Sequence, residues 1–149
     1  MSLVQELMSI ENIVTLRAFS GHTAKDVAQL FSKNHSEIVI ITDKNYEPLG
    51  IITIRDLINS SLSKGVSLIR INIEDIMSSP VFTINEYDSI YVASKVMLRN
   101  KIKRLVVVDR NNQIVGILGA FGLVKYLATT YINEYDNHKS LKFALDLLN

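Results

Sequence analysis

Ile38-Val-Ile-Ile-Thr-Asp43 and Arg104-Leu-Val-Val-Val-Asp109 are two versions of one pattern, and that pattern decides how the chain is built. Each is a short, unbroken run rich in β-branched residues, which is the composition of a strand covered on both faces by helices. Each passes through a polar turn, Asp43 to Pro48 or Asp109 to Gln113, and re-enters an apolar run around a glycine. Those second runs are Leu49-Gly50-Ile51-Ile52 and Val115-Gly116-Ile117-Leu118. Asp43 and Asp109 stand 66 positions apart, as do Gly50 and Gly116, Asn34 and Asn100, Asn45 and Asn111, Ile51 and Ile117, and Leu57 and Leu123. Upstream the spacing widens to 69, between Met8 and Met77, which puts three extra residues in the first repeat near Ile10 to Ile13. The chain repeats itself once, and such a repeat constrains the fold more than any single element does.

A helical pattern precedes each apolar run. Thr23 followed by Asp26 reads as a capping box with aspartate in place of glutamate. Ala24, Val27, Ala28 and Phe31 then fall at the spacing of a helix with one apolar face. The second repeat starts from Asp88 or Ser89 and turns Ile90, Ala93, Val96 and Met97 inward. A short strand is predicted before each helix, near Thr15–Ala18 and Val81–Ile84, and a second helix after each hairpin, about Arg55–Ser60 and Phe121–Leu127. The unit is β-α-β-β-α, twice. The predicted boundaries are 1–64 for repeat 1 with an N-terminal lead-in, 65–128 for repeat 2, and 129–149 for a helical tail. Ser61–Ile73, with Gly65, reads as the linker. In the tail, Leu141, Ala144, Leu145 and Leu148 form an apolar stripe that either closes the core or meets a partner.

Composition narrows the function. The chain has 149 residues, 48% of them hydrophobic and 21% charged, which is globular. Lys+Arg number 16 against 15 Asp+Glu, a net charge of +1 that argues against a strongly basic nucleic-acid surface. Without cysteine there is no disulfide framework, thiolate zinc site or cysteine nucleophile. No apolar run approaches the ~18–20 residues of a membrane span. Met1-Ser2-Leu3-Val4-Gln5-Glu6 has no basic start of a signal peptide, so a soluble, cytoplasmic protein is expected. His22, His35 and His138 are scattered, so no metal site is expected. No nucleophile, base and orienting group come together, so no catalytic residues and no enzyme are expected.

The two β-α-β-β-α units, each opened by Met-Ser (Met8-Ser9 and Met77-Ser78), resemble a tandem pair of CBS (cystathionine β-synthase) domains, a Bateman module. The marks are Asp75-Ile76-Met77-Ser78 shortly before Pro80-Val-Phe-Thr83, the strand Arg104–Asp109, and Gly50-Ile-Ile-Thr-Ile-Arg-Asp56. The resemblance runs from about Val4 to Leu127. It implies an α/β fold in which the two repeats pack about a pseudo-twofold axis.

The Gly-x-x-Thr-x-x-Asp stretch bears two readings. Thr53 and Asp56 sit where a strand passes into a helix, so they serve as a cap with an acidic residue at its third position. Alternatively, the Asp56 carboxylate, acceptor-only when ionised, takes two hydrogen bonds from a vicinal ribose diol. In CBS domains this motif is the ribose-binding one. Repeat 2 has Gly119 and Gly122 in the same places, which implies one nucleoside site rather than two. The resemblance further implies that Thr53 and Asp56 work with Thr83, Ala93, Ile102, Lys103 and Arg104 of the other repeat. Ala93 is small where an adenine would press on a helix, Ile102 offers an apolar edge, and Lys103 and Arg104 face phosphates. Lys101–Arg104 is equally readable as a solvated strand entrance.

The resemblance thus implies a regulatory module with no cofactor. It binds AMP, ADP, ATP or S-adenosylmethionine in the cleft between repeats and shifts a population of arrangements. A homodimer and a target protein go with it, and direct nucleic-acid or membrane contact does not. The rival readings are a ligand-free interaction module and a transcription-related regulator that depends on a partner.

Overall fold

The computed structural model describes residues 3–11, 17–131 and 146–147. In chain order the elements are α1 (Val4–Glu11), β1 (Arg17–Phe19), α2 (Ala24–Asn34), β2 (Ile38–Thr42), β3 (Pro48–Thr53), α3 (Ile54–Leu57), β4 (Thr83–Asn85), α4 (Ile90–Asn100), β5 (Arg104–Val108), β6 (Ile114–Gly119) and α5 (Ala120–Tyr131). A π-helical turn, Ile58–Leu62, follows α3, and two 3-10 turns, Leu68–Arg70 and Ile73–Asp75, lead towards β4. The chain divides into two compact units, Val14–Val81 and Met1–Ile13 with Phe82–Asn149. They are called the first and second unit below.

Each unit carries a three-stranded sheet, ordered β1-β2-β3 or β4-β5-β6. The outer strand that comes first in the chain pairs parallel to the middle one, and the third closes an antiparallel hairpin. Register repeats as faithfully as sequence. Ile38 lies opposite Thr53 and Arg104 opposite Gly119, and a bulge falls at Ile41/Thr42 and again at Val107/Val108. The hairpin aspartates explain the turns. Asp43 Oδ1 accepts the Asn45 and Glu47 amides at 2.8 and 3.0 Å, and Asp109 Oδ1 accepts those of Asn111 and Gln113 at 2.8 and 2.9 Å. Such turns let an aspartate side chain do the work of a backbone carbonyl. The expected helix starts also stand: Thr23 and Asp26 form the capping box, and Ser89 caps α4 by accepting the Val92 amide at 3.2 Å. Asp88 instead ties back to the Asn85 amide at 3.0 Å.

The middle strands are the core. Val39–Thr42 and Leu105–Val108 are buried without a break. In the first unit Val27 and Phe31 of α2 pack with Val39, Ile41, Ile52 and Leu57. In the second, Ala93 and Met97 of α4 pack with Leu105, Val107, Leu118 and Leu123.

The compact units depart from the repeat boundaries at two places. The lead-in forms α1, whose Val4 and Leu7 are fully buried in the second unit's core. The amides of Val4 and Gln5, orphaned at a helix start, donate to the carbonyls of Asp88 and Glu86 at 2.9 and 2.8 Å. The segment read as a linker belongs to the first unit, where Ile71 and Ile73 fill the core. The Ile71 carbonyl accepts the Ala24 amide at 2.8 Å, and the carboxylate of Glu74 accepts the Ser20 hydroxyl and, at 2.7 Å, the Gly21 amide. Met77-Ser78, read as the opening of repeat 2, also lies against β3: Ile51 and Ser78 exchange both backbone hydrogen bonds at 3.1 and 2.9 Å. The helix expected over Arg55–Ser60 ends at Leu57 and gives way to the π turn, whereas that expected over Phe121–Leu127 extends from Ala120 to Tyr131. The strands expected near Thr15–Ala18 and Val81–Ile84 are Arg17–Phe19 and Thr83–Asn85. Leu141, Ala144, Leu145 and Leu148 lie outside the described residues; Leu147 is buried in the second unit's core.

Because α1 completes the second unit, Leu7→Ala should cost about 2–5 kcal/mol of stability, the usual range for a buried leucine. Amide exchange in β5 and β6 should quicken while that in β2 and β3 stays as it was. Equal acceleration in both sheets would show that α1 does not belong to one unit.

Candidate functional site

Thr53 ends β3 and caps α3, with extended backbone at φ −112° and ψ 165°. Asp56, one turn on, accepts the Thr53 amide at 2.7 Å and the Thr53 hydroxyl at 2.9 Å, both on Oδ2. No other described residue donates to the Asp56 carboxylate, so Oδ1 keeps its lone pairs. The capping reading is therefore realised, and it uses one carboxylate oxygen of two. Both residues are half-buried. Thr23 and Asp26 reproduce the arrangement at 2.7 and 3.0 Å, which supplies an internal standard for what a box does as a cap.

The second unit builds the same corner without the box. Gly119 stands opposite Arg104 as Thr53 stands opposite Ile38, and the Ala120 amide donates to the Lys103 carbonyl at 2.8 Å as Ile54 donates to Glu37 at 3.2 Å. From there α5 runs twelve residues. The strand-to-helix step does not itself require a threonine and an aspartate.

Gly50, the first residue of the motif, has a packing role. A Cβ on it would come within 2.5–2.9 Å of the Met77 side chain, so the glycine is what lets Met77 lie against β3.

The other expected residues stand on the second unit. Thr83 opens β4 and is exposed, opposite Val106. Lys103 and Arg104 are exposed at the start of β5, and Ile102 is half-buried against the core. Thr83, Lys103 and Arg104 therefore share one end of the β4-β5-β6 sheet. Ala93 is fully buried in α4. Among the described residues, no group of three or more histidine, aspartate or glutamate side chains is placed to hold a metal ion, and no helix is long and apolar enough to cross a membrane.

The model of the CBS domain matches residues 4–63 and again 73–129. The chain belongs to the CBS-domain family. It is 36% identical over 115 residues to an uncharacterized protein of Methanopyrus kandleri, a match that covers 75% of this chain and 59% of that protein. The chain thus spans about three-fifths of the length of that relative. Among solved structures, it is similar to a CBS domain protein of Pyrobaculum aerophilum complexed with AMP, at 24% identity and a TM-score of 0.66, covering 85% of this chain and 98% of that one. It is also similar to a CBS domain pair in complex with 5′-methylthioadenosine and S-adenosyl-L-methionine, at 22% identity and a TM-score of 0.67, covering 87% and 98%. These likenesses show the fold: a tandem of two CBS repeats in an α/β arrangement.

Two carboxylates of the first unit are tuned by their hydrogen bonds. Asp26 is held below the ordinary aspartate value, first by the Thr23 amide and then by the Thr23 hydroxyl. Glu74 is lowered, first by the Ser20 hydroxyl. A depressed carboxyl pKa stabilises the fold in full where the group is ionised in both the folded and the unfolded chain, and that stability is given up on acidification as the unfolded chain takes up protons first. The contribution is present above about pH 4 and is lost as pH falls through the folded-state values. Melting temperature should accordingly fall on acidification below that point, and Glu74→Gln should show a shallower fall with a lower plateau at neutral pH. An unchanged acid limb in Glu74→Gln would contradict this account of the Ser20–Gly21 turn.

Proposed function

We propose that this CBS pair is a regulatory module whose ligand contains adenosine, with Thr53 and Asp56 engaging the ribose. The observation that carries this reading is the contrast between the two repeats. At one corner of an otherwise duplicated scaffold, the first repeat has Thr53 and Asp56 where the second has Gly119 and Gly122, and α5 forms without the box. The free Oδ1 of Asp56 is an ionised acceptor of the kind a vicinal diol pairs with. The complexes of the Pyrobaculum protein with AMP and of the other pair with S-adenosyl-L-methionine support the choice of ligand class. In this reading Thr83 and Ile102 contribute polar and apolar contacts, Ala93 keeps α4 slender behind the base, and Lys103 and Arg104 meet phosphate. Regulation follows from differential affinity: the ligand favours whichever arrangement of the protein it binds better.

Asp56→Asn should weaken binding of AMP about tenfold or more, the equivalent of one charge-assisted hydrogen bond. Asp26→Asn, which removes the same box from a helix with no assigned ligand, should lower the melting temperature and leave affinity as it was. The decisive pair of measurements is calorimetric affinity and melting temperature on both variants. Unchanged affinity in Asp56→Asn would leave Asp56 a cap and nothing more.

A homodimer is part of the proposal. Ile54, Ile58 and Leu62 are 37, 45 and 78% exposed, while Ser60 and Ser61 between them are buried. The Ser60 hydroxyl donates to the Asp56 carbonyl at 2.6 Å and that of Ser61 to the Val66 carbonyl at 2.7 Å, so the π turn faces hydroxyls inward and aliphatic groups outward. That inverted patterning suits a face covered by a second copy. Light scattering should report a dimer for the parent chain and a monomer for Leu62→Glu; a dimer that survives the substitution would place the interface elsewhere.

A further inference from the structure

We propose, independently of the nucleoside reading above, that Phe19, His22 and Tyr46 at the hairpin end of the first unit are a docking platform for an arginine-bearing segment of a partner protein. The three rings meet at that end of the sheet. Phe19 lies edge-to-face with Tyr46, at 5.8 Å between centroids and 69° between planes, and with His22 at 6.2 Å and 73°. All three are exposed, Phe19 to 39% and Tyr46 to 52%. Edge-to-face packing leaves ring faces unstacked, and an exposed ring face attracts a cation.

The scaffold does not call for these rings. Each stands 66 positions before a polar residue of the second unit: Phe19 before Asn85, His22 before Asp88 and Tyr46 before Asn112. The polar set builds the same turns. Tyr46 and Asn112 both take left-handed backbone, at φ 65° and 59°, and both amides donate to the carbonyl of the aspartate that leads the turn at 3.1 Å. That conformation suits asparagine and strains a bulky ring. The Phe19 amide donates to His22 Nδ1 at 3.2 Å, as that of Asn85 donates to Asp88 at 3.0 Å. A strained tyrosine, and a histidine in an aspartate's place, thus bring rings to a surface that asparagine and aspartate would serve. Exposed aromatic clusters of this kind are what interfaces use as anchors.

Charge selects the partner. The carboxylates of Asp26, Asp43 and Glu74 hold the turns that carry the rings, accepting the amides of Thr23 at 2.7 Å, Asn45 at 2.8 Å and Gly21 at 2.7 Å. Negative charge is thereby fixed beside the aromatic cluster, and with Glu47 these groups outnumber Lys25 and Lys44, the cations of the same turns. Such surroundings repel a nucleic-acid backbone and draw a guanidinium, which also stacks on aromatic faces. The second unit supplies the precedent at its own hairpin, where Arg110 lies over the Tyr87 ring at 4.3 Å from the centroid. Among the described residues no cation stands over Phe19, His22 or Tyr46.

The test is a titration of the whole chain with the peptide acetyl-Gly-Arg-Gly-Arg-Gly-amide, followed by amide chemical shifts. Saturable shifts are expected in the millimolar range at residues 19–22 and 45–47, and raised salt should weaken them. The citrulline version of the peptide, which keeps the shape and loses the charge, should bind at least about fivefold more weakly. Tyr46→Asn and Phe19→Asn each install the second unit's residue, so the melting temperature should hold while affinity for the arginine peptide falls at least about fivefold. Shifts that persist in both variants, an equal response to the citrulline peptide, or no saturable response at all would overturn the proposal. So would a melting temperature that collapses in both variants, which would make the rings part of the fold. A single-stranded oligonucleotide that moves the same amides at lower concentration than the peptide would also overturn it, and would assign the rings to base stacking.

Discussion

A strand with four consecutive buried residues must be paired along both edges and covered on both faces, or its backbone polar groups and its apolar side chains are left in conflict. In this chain β2 and β5 are such strands, and the other elements of each unit answer that demand. The parallel partners β1 and β4 and the antiparallel partners β3 and β6 saturate the edges. Helices α2 and α4 supply the apolar cover through Val27 and Phe31, and through Ala93 and Met97. What the repeats themselves do not supply is brought in from the segment that precedes the other repeat: α1 for the second unit's core, Ile71 and Ile73 for the first unit's.

The duplication concentrates attention on the places where it fails. Hairpin turns, bulges, helix caps and left-handed helix ends at His35 and Lys101 match across 66 positions, because the same backbone needs the same local chemistry. Divergence is found at Thr53/Gly119 and Asp56/Gly122, where a capping box starts α3 and α5 forms without one, and at Glu37/Lys103. These positions lie at the strand-to-helix corner, where side chains can change without disturbing the core.

Much of the fold was legible because it is written in local signals: β-branched runs, an Asp-led hairpin turn and a Thr-x-x-Asp box each act within a few residues. The box itself was legible at Thr53 and Asp56 as a helix cap. The unit boundaries were not, because a segment's sequence records that it has an apolar face and not which core receives it. Val4, Leu7 and Met8 have helical spacing, and that signal was available for α1; its docking in the second unit depends on carbonyls of Asp88 and Glu86 some 80 positions away. The packing role of Gly50 was not legible for a related reason, since its partner, the Met77 side chain, is remote in sequence. The π turn after α3 was hidden because Ile58 and Leu62 look like core residues, and only the structure shows Ser60 and Ser61 taking the inner side.

The central claim is that ligand chemistry has been added to a scaffold that does not need Thr53 and Asp56 for its own construction. Amide chemical-shift mapping of the full chain during titration with ATP addresses it most directly, because each repeat carries its own control. The account predicts saturable shifts at Thr53–Leu57 and at Ile102–Arg104, with the matching box at Thr23–Val27 undisturbed. Shifts that spare Thr53–Leu57, or that appear equally at Thr23–Val27, would contradict it.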